Sequence, residues 1–318
     1  MTAAQAHHAP VCSLADLTRA DAAFAGHKGA GLGELMRAGF PVPPGFVVGT
    51  SAWELVCDAS GLRERIAAEL EPVDVDDVIG LSSAADRVRA LVLAAPMPER
   101  VETAITDAYR ALGDRAAVAV RSSDTVAAGT PPSCGGMDET YLNLRGSAAV
   151  ADAVRRCWAS LFGPRSVFVR AKWQLPAAAA DIAVVVQRQV DAARAGVIDT
   201  AADDGRHVRI EAVHGLGEGL RSGRVSPDRF LVDRSSRRIA SHHILAQEAV
   251  VELAPRGGTR SRPGTEAEAL RPVLADAAIA GLAELALAVE DHEGGAQHIE
   301  WALDGAGDPW ILQTRPLR

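Results

Sequence analysis

The chain has 318 residues, of which 48% are hydrophobic and 23% are charged, and its formal net charge is −8 at pH 7. This length suggests two domains or one large one, and the acidic balance disfavours a nucleic-acid partner. No apolar run approaches the ~18 residues of a membrane span, no signal-peptide pattern opens the sequence, and the four cysteines lack metal-site or disulfide spacing. We therefore expect a cytoplasmic protein without a membrane partner.

The first third of the chain predicts helices around one buried strand. Glycines at 26–31 predict a loop, and a helix follows that ends near residue 40. The prolines that come next predict a turn into a strand that ends near residue 50. Apolar residues at helical spacing then predict helices from Trp53 to Leu112.

The rest of the chain predicts strands around a few helices. Strands are predicted at 116–123 and 139–144, and helices at 147–162 and 164–173. From residue 181 strand patterns dominate, the segment 257–265 is typical of a flexible linker, a long helix is predicted at 266–291, and two strands follow at 296–304 and 309–317. Helices followed by a mostly antiparallel sheet indicate an α+β fold in two lobes, which we divide at 14–186 and 187–318.

Lys28 lies in the glycine-rich run "GHKGAGLGEL" and is one of two lysines among 33 basic residues. A lysine is a compact point charge that reaches a single phosphate oxygen, and the helix that follows offers an N-terminus to an anion. A glycine-rich turn before a helix is also common without any ligand. The run is not a Walker A loop, because GxxxxGK[ST] is missing.

Three further segments have features that suit a nucleotide. Arg121 ends a predicted buried strand, where a fixed cation suits a phosphate or caps the strand. Gly135 and Gly136 form either a backbone-amide lid over phosphates or a plain turn. Gln187 ends the apolar run "VVVQ" and offers hydrogen bonds to an adenine edge, although any buried strand has a similar pattern.

The final segment, "HIEWALDGAGDPWILQTRP", predicts two strands that pair as a hairpin. Glu300 and Gln313 would then place a carboxylate and an amide oxygen on one sheet face. Such hard oxygen ligands suit Mg²⁺, which also retains its substrate phosphates. Arg315, two residues after Gln313, faces the same side.

The sequence resembles the ATP-grasp nucleotide-binding domain of the phosphoenolpyruvate synthase, pyruvate phosphate dikinase and rifampicin phosphotransferase group. The resemblance runs from about residue 14 to the C-terminus and rests on "GHKGAGLGELMRAGFPVPPGFVV", "AVRSSD", "ETYLNL", "CWASLF", "AVVVQRQV", "IEAVHGLGEGLRSGRVSPDRFLVD" and "IEWALD…WILQTRP", in that order. It implies an ATP-grasp fold whose two lobes bind ATP between them.

The resemblance also implies roles for individual residues. Lys28, Arg121 and Arg315 would bind phosphates and carry the catalysis. Further roles are implied for Gly135, Gly136 and Thr140 in the phosphate lid, for Gln187 and Val190 beside the adenine, for Glu218 at the ribose, and for Glu300 and Gln313 at Mg²⁺. The implied cofactors are ATP and Mg²⁺.

Some positions depart from the group's pattern. The group has an acidic pair after its "VRSSAT" motif, where this chain has Val126 to Gly129. His298 replaces a carboxylate, His214 replaces a tryptophan and Asp199 replaces a phenylalanine. Three interpretations of His298 are open: a base, a contact with the phosphate acceptor, or a solvated residue of the strand.

These features give three functional hypotheses. In the first, the chain is a phosphotransferase component that passes phosphate from Mg-ATP to a histidine on a separate swivelling or substrate-domain protein. In the second, it is a stand-alone kinase or ligase that phosphorylates or activates a small molecule. In the third, it is a nucleotide-binding subunit without turnover.

Overall fold

The computed structural model describes residues 9–125, 139–175, 180–203 and 205–317. The chain divides into two compact units, of which the first comprises the described residues up to 37 together with those from 44 to 188. The second comprises 38–43 and 189–317, so the chain enters the second unit briefly before returning to the first. The sequence did not predict that residues 38–43 belong with the second unit.

The first unit combines short strands with several helices that pack against their sheet. Its elements are β1 Val11–Ser13, α1 Ala22–Arg37, β2 Gly45–Val48, α2 Thr50–Ser60, α3 Leu62–Leu70, α4 Val78–Ala94, α5 Glu99–Leu112, β3 Val118–Asp124, β4 Thr140–Leu144, α6 Ser147–Ser160, α7 Pro164–Lys172 and β5 Ile182–Arg188. The predicted helical stretch from Trp53 to Leu112 and the buried strand after the prolines are confirmed.

The sheet of the first unit has the order β1-β2-β5-β3-β4, and its described ladders are antiparallel. Alternation along β3 and β5 sends Val120, Val184 and Val186 into the main core. There Trp53 packs against Trp158 with ring centroids 5.6 Å apart. The opposite face of the same strands carries the polar side chains that concern the candidate site.

The second unit is built on a long sheet with the order β13-β12-β6-β7-β8-β9 and a separate β10-β11 hairpin. Its elements are β6 Ala192–Ala202, β7 His207–His214, α8 Glu218–Arg221, β8 Asp228–Asp233, β9 Ile239–His243, β10 Ala249–Leu253, β11 Thr259–Pro263, α9 Glu266–Leu270, α10 Asp276–Glu293, β12 Gln297–Asp304 and β13 Pro309–Pro316. Buried Ile198, Ile210 and Ile299 line one sheet face, and the other face is polar.

The prediction of a flexible linker at 257–265 is wrong. Residues Thr259–Pro263 form β11, which pairs antiparallel with β10. Arg260 and Arg262 both form ion pairs with Glu252 on the opposite strand. These pairs stabilise a strand whose own sequence lacks apolar alternation, and Thr265 then caps α9 through a capping box with Glu268.

The prediction of one long helix at 266–291 is also wrong, because the segment contains two helices. The first ends at Leu270, and Arg271 has extended backbone angles of φ −109° and ψ 146°. Pro272 follows, and a proline disfavours helical angles at the residue before it and removes a backbone donor. The second helix, α10, runs from Asp276 to Glu293 and stops at Gly294, whose φ is +73°.

Candidate functional site

One face of the sheet in the first unit gathers three of the predicted nucleotide-binding residues. Arg121 lies directly opposite Thr140 on β4 and opposite Val185 on β5, and Ala119 lies opposite Gln187. Residues opposite each other in a ladder share a face, and so do residues two apart on one strand. Arg121, Thr140 and Gln187 therefore lie on the face away from the main core, although Arg121 is 8% and Gln187 1% exposed.

Lys28 lies in a helix, and the prediction of a loop at 26–31 is wrong. The helix α1 has one break, at Gly26, where φ is 68° and ψ is 165°, and helical geometry resumes immediately afterwards. Lys28 therefore lies in the first turn after the break, and its Nζ donates a hydrogen bond to the carbonyl oxygen of Ser122 at 3.0 Å. The ammonium is thus directed towards the end of β3, one residue beyond Arg121.

Ser122 and Ser123 hold this region together, and the sequence analysis did not single them out. The Ser123 hydroxyl donates to the carbonyl of Ala25 at 2.8 Å and accepts from the amide of Gly29 at 3.1 Å. The Ser122 amide donates to the carbonyl of Glu139 at 3.0 Å, and the Glu139 amide donates to the Ser122 hydroxyl at 3.1 Å. The sequence feature that could have indicated their role is the pair of adjacent serines at the end of a predicted buried strand.

Glu139 is the charged residue next to this cluster that sequence reasoning missed. Burial, and to a lesser extent the Glu139 carboxylate, raise the pKa of the neighbouring Cys157 thiol to about 12, and the Lys28 ammonium opposes the rise. Both charges therefore act on the same buried position. The thiol of Cys157, held protonated, has no nucleophilic role. Gly135 and Gly136, the predicted phosphate lid, lie outside the described residues.

In the second unit, the strands β12 and β13 pair as the sequence predicted. Glu300 lies directly opposite Gln313, and His298 lies directly opposite Arg315. These four side chains share one sheet face because each pair is cross-strand and the pairs are two residues apart. Glu300 and Gln313 are part-buried and Arg315 is exposed.

An irregularity in the ladder separates this polar pair from the core. The register shifts between Glu300 and Trp301, so that Trp301 lies opposite Ile311 and Leu312 is the extra residue. Trp301 and Ile311 are 1% and 0% exposed. The bulge therefore allows Gln313 to accompany Glu300 on the polar face while Ile311 joins the apolar one.

His298 is held from the neighbouring strand β6. Its Nδ1 lies 2.6 Å from Oδ1 of Asp199, which is its register partner on β6 and is 8% exposed. The other oxygen of Asp199 accepts a hydrogen bond from Arg209 on β7. Burial by itself would raise the pKa of Asp199, but the bonds from His298 and Arg209 outweigh it and lower the pKa below its ordinary value of 3.8.

Glu218 and Val190 complete the predicted set in the second unit. Glu218 begins α8, and its Oε2 is buried without a hydrogen-bond partner among the residues that the structure describes. The preceding Gly217 lies near Ala195, which is on the same sheet face as Asp199. The carbonyl of Val190 accepts a hydrogen bond from the Gln189 side chain at 2.9 Å. A buried carboxylate oxygen that lacks a partner suits a ligand hydroxyl.

The oxygen donors of the second unit fit a divalent cation that shares its ligands with a nucleotide. Within the described part of the chain, no group of three or more His, Cys, Asp or Glu side chains is arranged to hold a metal ion. Mg²⁺ is commonly bound by one or two carboxylates while phosphates and water supply the other ligands. Glu300 with the amide oxygen of Gln313 is a donor set of this kind. In the described ranges no helix is long and apolar enough to cross a membrane.

Comparisons with known proteins identify the family of this α+β chain. Residues 22–318 match the family model described as the pyruvate phosphate dikinase AMP/ATP-binding domain. The chain belongs to this family, and its fold is of the ATP-grasp type. It is thus an ATP-binding domain of the phosphoenolpyruvate synthase and pyruvate phosphate dikinase group of phosphotransferases.

Individual relatives support the same assignment. A probable phosphoenolpyruvate synthase of Methanocaldococcus jannaschii is 37% identical over 96% of this chain, which covers 26% of that protein. A rifampicin phosphotransferase of a Streptomyces species is 37% identical over 96% of the chain and 36% of its own length. The phosphoenolpyruvate synthase of Pyrococcus furiosus is 33% identical, with 95% and 43% covered. The chain spans less than half the length of these curated relatives.

Proposed function

We propose that this chain uses Mg-ATP as the phosphoryl donor of a phosphotransferase, and that the acceptor is a histidine on a partner protein. The observation that carries the proposal is the cross-strand pair of Glu300 and Gln313 on the polar face of the second unit, with Arg315 two residues from Gln313. This is the placement that a cation and the phosphates it binds require. The family assignment supports ATP as the nucleotide.

The second unit would hold the cation and the ribose. Bound Mg²⁺ would neutralise phosphate charge and orient the transferred group. Glu300 and Gln313 would supply its protein ligands, and Arg315 would stabilise charge on a phosphate oxygen. Glu218, with its buried oxygen, would accept a hydrogen bond from a ribose hydroxyl.

The first unit would supply fixed positive charge and the surroundings of the base. Lys28 Nζ is held by the Ser122 carbonyl, one residue beyond Arg121 on β3, so both cations belong to the same end of that strand. Such preorganised cations stabilise phosphoryl transfer because they need no reorganisation when charge develops. Gln187 and Val190 would border the adenine, and Thr140, opposite Arg121, would contact a phosphate.

The acceptor distinguishes the proposed function from its nearest alternative. The relatives named as phosphoenolpyruvate synthases are more than twice as long as the part this chain matches, which suits a partner domain or protein that receives the phosphate. A second relative is named for phosphorylating rifampicin, and it favours a small-molecule acceptor as the second candidate.

Phosphorus NMR tests the proposal directly. ATP is incubated with the protein, Mg²⁺ and extract of the source cells, and the sample is then divided into protein and small-molecule fractions. We expect ATP to be consumed and an acid-labile, alkali-stable phosphorus signal to appear in the protein fraction. A new signal in the small-molecule fraction would support the second candidate instead. Tight ATP binding without consumption would contradict both and leave a nucleotide-binding subunit.

A further inference from the structure

The imidazole of His298 is fixed from behind by a carboxylate that is itself fixed. Asp199 is buried. One of its carboxylate oxygens lies 2.6 Å from His298 Nδ1, and the other accepts a hydrogen bond from the Arg209 guanidinium. An ionised carboxylate accepts hydrogen bonds and donates none, so the proton between the two groups belongs to Nδ1 of the ring. In the neutral imidazole the lone pair is therefore on Nε2.

Nε2 of His298 has no hydrogen bond to any residue in the described ranges, whereas Nδ1 has the bond to Asp199. The side chain is 18% exposed, so the ring is largely desolvated but still accessible. Glu300 follows two residues later on the same face, and its cross-strand partner is Gln313. The imidazole thus lies on the same sheet face as a carboxylate and an amide oxygen, one cross-strand pair away.

This arrangement has the features of a metal-bound histidine. Histidines that bind metals almost always donate their other ring N–H to a carboxylate or carbonyl, which fixes the tautomer and increases the basicity of the ligating nitrogen. Asp199 provides this carboxylate, and Arg209 holds it in place. A histidine that only fills a strand position does not require a buried anion against one of its nitrogens.

We propose that Nε2 of His298 is a nitrogen ligand of the cation bound at Glu300 and Gln313, with Asp199 as the outer partner that orients the ring. The inference rests on the proposed function, since it concerns the same cation. The protein then supplies one nitrogen and two oxygen ligands. Imidazole suits first-row transition ions, whereas Mg²⁺ prefers oxygen, so the ring would add more to the affinity for a first-row divalent ion than to that for Mg²⁺, which Glu300 and Gln313 would still bind.

Manganese bound to protein labelled with ¹⁵N-histidine tests the proposal. Mn²⁺ is titrated by electron paramagnetic resonance with and without ATP, and electron spin-echo modulation detects histidine nitrogen bound to the ion. The isotope distinguishes this nitrogen from those of adenine. We expect ¹⁵N coupling in the unmodified protein and in His242→Ala, a matched control that removes an exposed histidine of β9 in the same unit. We expect no coupling in His298→Ala.

Affinities provide the second readout. Asp199→Asn should weaken Mn²⁺ binding about tenfold or more, which is the usual effect of losing the outer partner of a ligating histidine. His298→Ala should weaken Mn²⁺ binding by at least as much while changing Mg²⁺ affinity less than threefold. Unchanged coupling or unchanged Mn²⁺ affinity in His298→Ala would overturn the proposal. If that variant does not fold, absence of ¹⁵N coupling in the unmodified protein overturns it equally.

The two proposals fail separately in this experiment. ATP binding without histidine coupling to Mn²⁺ would leave the proposed function standing and remove His298 from the site. Histidine coupling to Mn²⁺ in a protein that binds no ATP would support the metal site and contradict the phosphotransferase. His298→Ala that lowers ATP affinity in the absence of any divalent ion would show that the ring contacts phosphate, which overturns the metal assignment.

Discussion

Lys28 and Lys172 are the two lysines of the chain and differ in every relevant respect. Lys28 is part-buried and donates to the Ser122 carbonyl at 3.0 Å, while Lys172 forms an exposed ion pair with Asp76 on the first unit's surface. Their contrast makes them a matched pair for mutation. Lys28 is directed at the predicted phosphate site, whereas the exposed ion pair of Lys172 contributes little or nothing to stability.

We predict that Lys28→Ala raises the dissociation constant of ATP at least about tenfold, which corresponds to about 1.4 kcal/mol or more. Alanine favours helix, so the variant should retain its helical circular dichroism. Lys172→Ala should leave ATP affinity unchanged. Calorimetric titration of both variants measures the difference, and equal affinities would exclude a phosphate contact at Lys28.

Glu300 gives the second prediction at this scale. Glu300→Gln keeps the shape of the side chain but removes its charge, so the divalent-ion concentration for half-maximal ATP turnover should rise about tenfold or more. The ATP requirement at saturating metal should change much less. Glu284→Gln on the exposed side of α10 is the control. If metal and ATP requirements rise in parallel, Glu300 has a structural role.

The sequence predicted candidate residues for the site but not the residues that orient them. The pairing of β12 with β13 was predictable because a short glycine turn between two strand patterns implies a hairpin, but the bulge at Leu312 that places Gln313 opposite Glu300 was not. The contacts of Ser123 with Ala25 and of Asp199 with His298 join residues 98 and 99 positions apart. Such contacts depend on strand order, which local patterns do not specify.

At the scale of elements, the break in α1 leaves no room for a side chain. Gly26 has φ +68°, and a Cβ built there would lie 2.2 Å from Ser123 Oγ and 2.4 Å from its carbonyl oxygen. Gly31, five residues later in the same helix, has no atom within 4 Å of a built Cβ. The two glycines therefore differ in both angle and space.

We predict that Gly26→Ala destabilises the first unit by at least about 2 kcal/mol, because a positive φ is strained and the added methyl meets backbone. Gly31→Ala should be neutral or stabilise by up to about 1 kcal/mol, because alanine favours helix. Urea unfolding followed by circular dichroism measures both. Comparable stability of the two variants would show that the break at Gly26 tolerates a side chain.

The same glycines explain why the sequence predicted a loop where the structure has a helix. A Cβ at Gly29 would lie 2.9 Å from Val47, and one at Gly33 would lie 2.7 Å from Leu17. These positions are glycine because the helix packs very closely against its neighbours. A glycine-rich sequence is found both in flexible loops and in closely packed helices, and only tertiary contacts distinguish the two cases.

The capping box of α9 gives a pH-dependent prediction. The bond from the Arg262 guanidinium, followed by the backbone N–H of Thr265, holds the pKa of Glu268 well below its ordinary value of 4.5. A pKa lowered on folding adds stability that is complete above the unfolded value and is lost as the pH falls towards the folded one. The contribution of Glu268 is therefore present at pH 7 and declines below about pH 4.5.

We predict that Glu268→Gln lowers the Tm of the second unit by about 2–4 °C at pH 7, and that the difference narrows as the pH falls from 5 to 3. Differential scanning calorimetry across this range measures it. Glu266→Gln, at the exposed first position of α9, should have a smaller effect at every pH. A Tm difference that stays constant across this pH range would show that the Glu268 carboxylate does not cause it.

At the scale of the whole molecule, residues 38–43 attach the second unit to an early part of the chain. The Ile311 amide of β13 donates to the Pro41 carbonyl at 2.8 Å. The ring of Phe40 meets that of His292 edge-on, with centroids 5.6 Å apart. The second unit is therefore completed by a segment that precedes the rest of it by about half the chain.

We predict that Phe40→Ala destabilises the second unit by about 1–3 kcal/mol while leaving the first unchanged. Hydrogen exchange should show faster exchange at the β13 amides, with Ile311 among them, and unaltered protection in β3 and β5. Phe168→Ala removes a ring that is 38% exposed in the first unit and should not affect β13. Identical protection of β13 in Phe40→Ala and the unmodified protein would contradict the prediction.

The segment 38–43 also has a consequence for the order of events during synthesis. Its partner strand begins at residue 309, so a ribosome that adds about 5–20 residues per second makes the two about 15–50 s apart. About halfway through that interval the chain reaches Arg188, which completes the strands of the first unit, while Phe40 and the Pro41 carbonyl still lack their partners. The first unit can therefore fold on the ribosome before the second, and the candidate metal pair forms only after the first unit is complete.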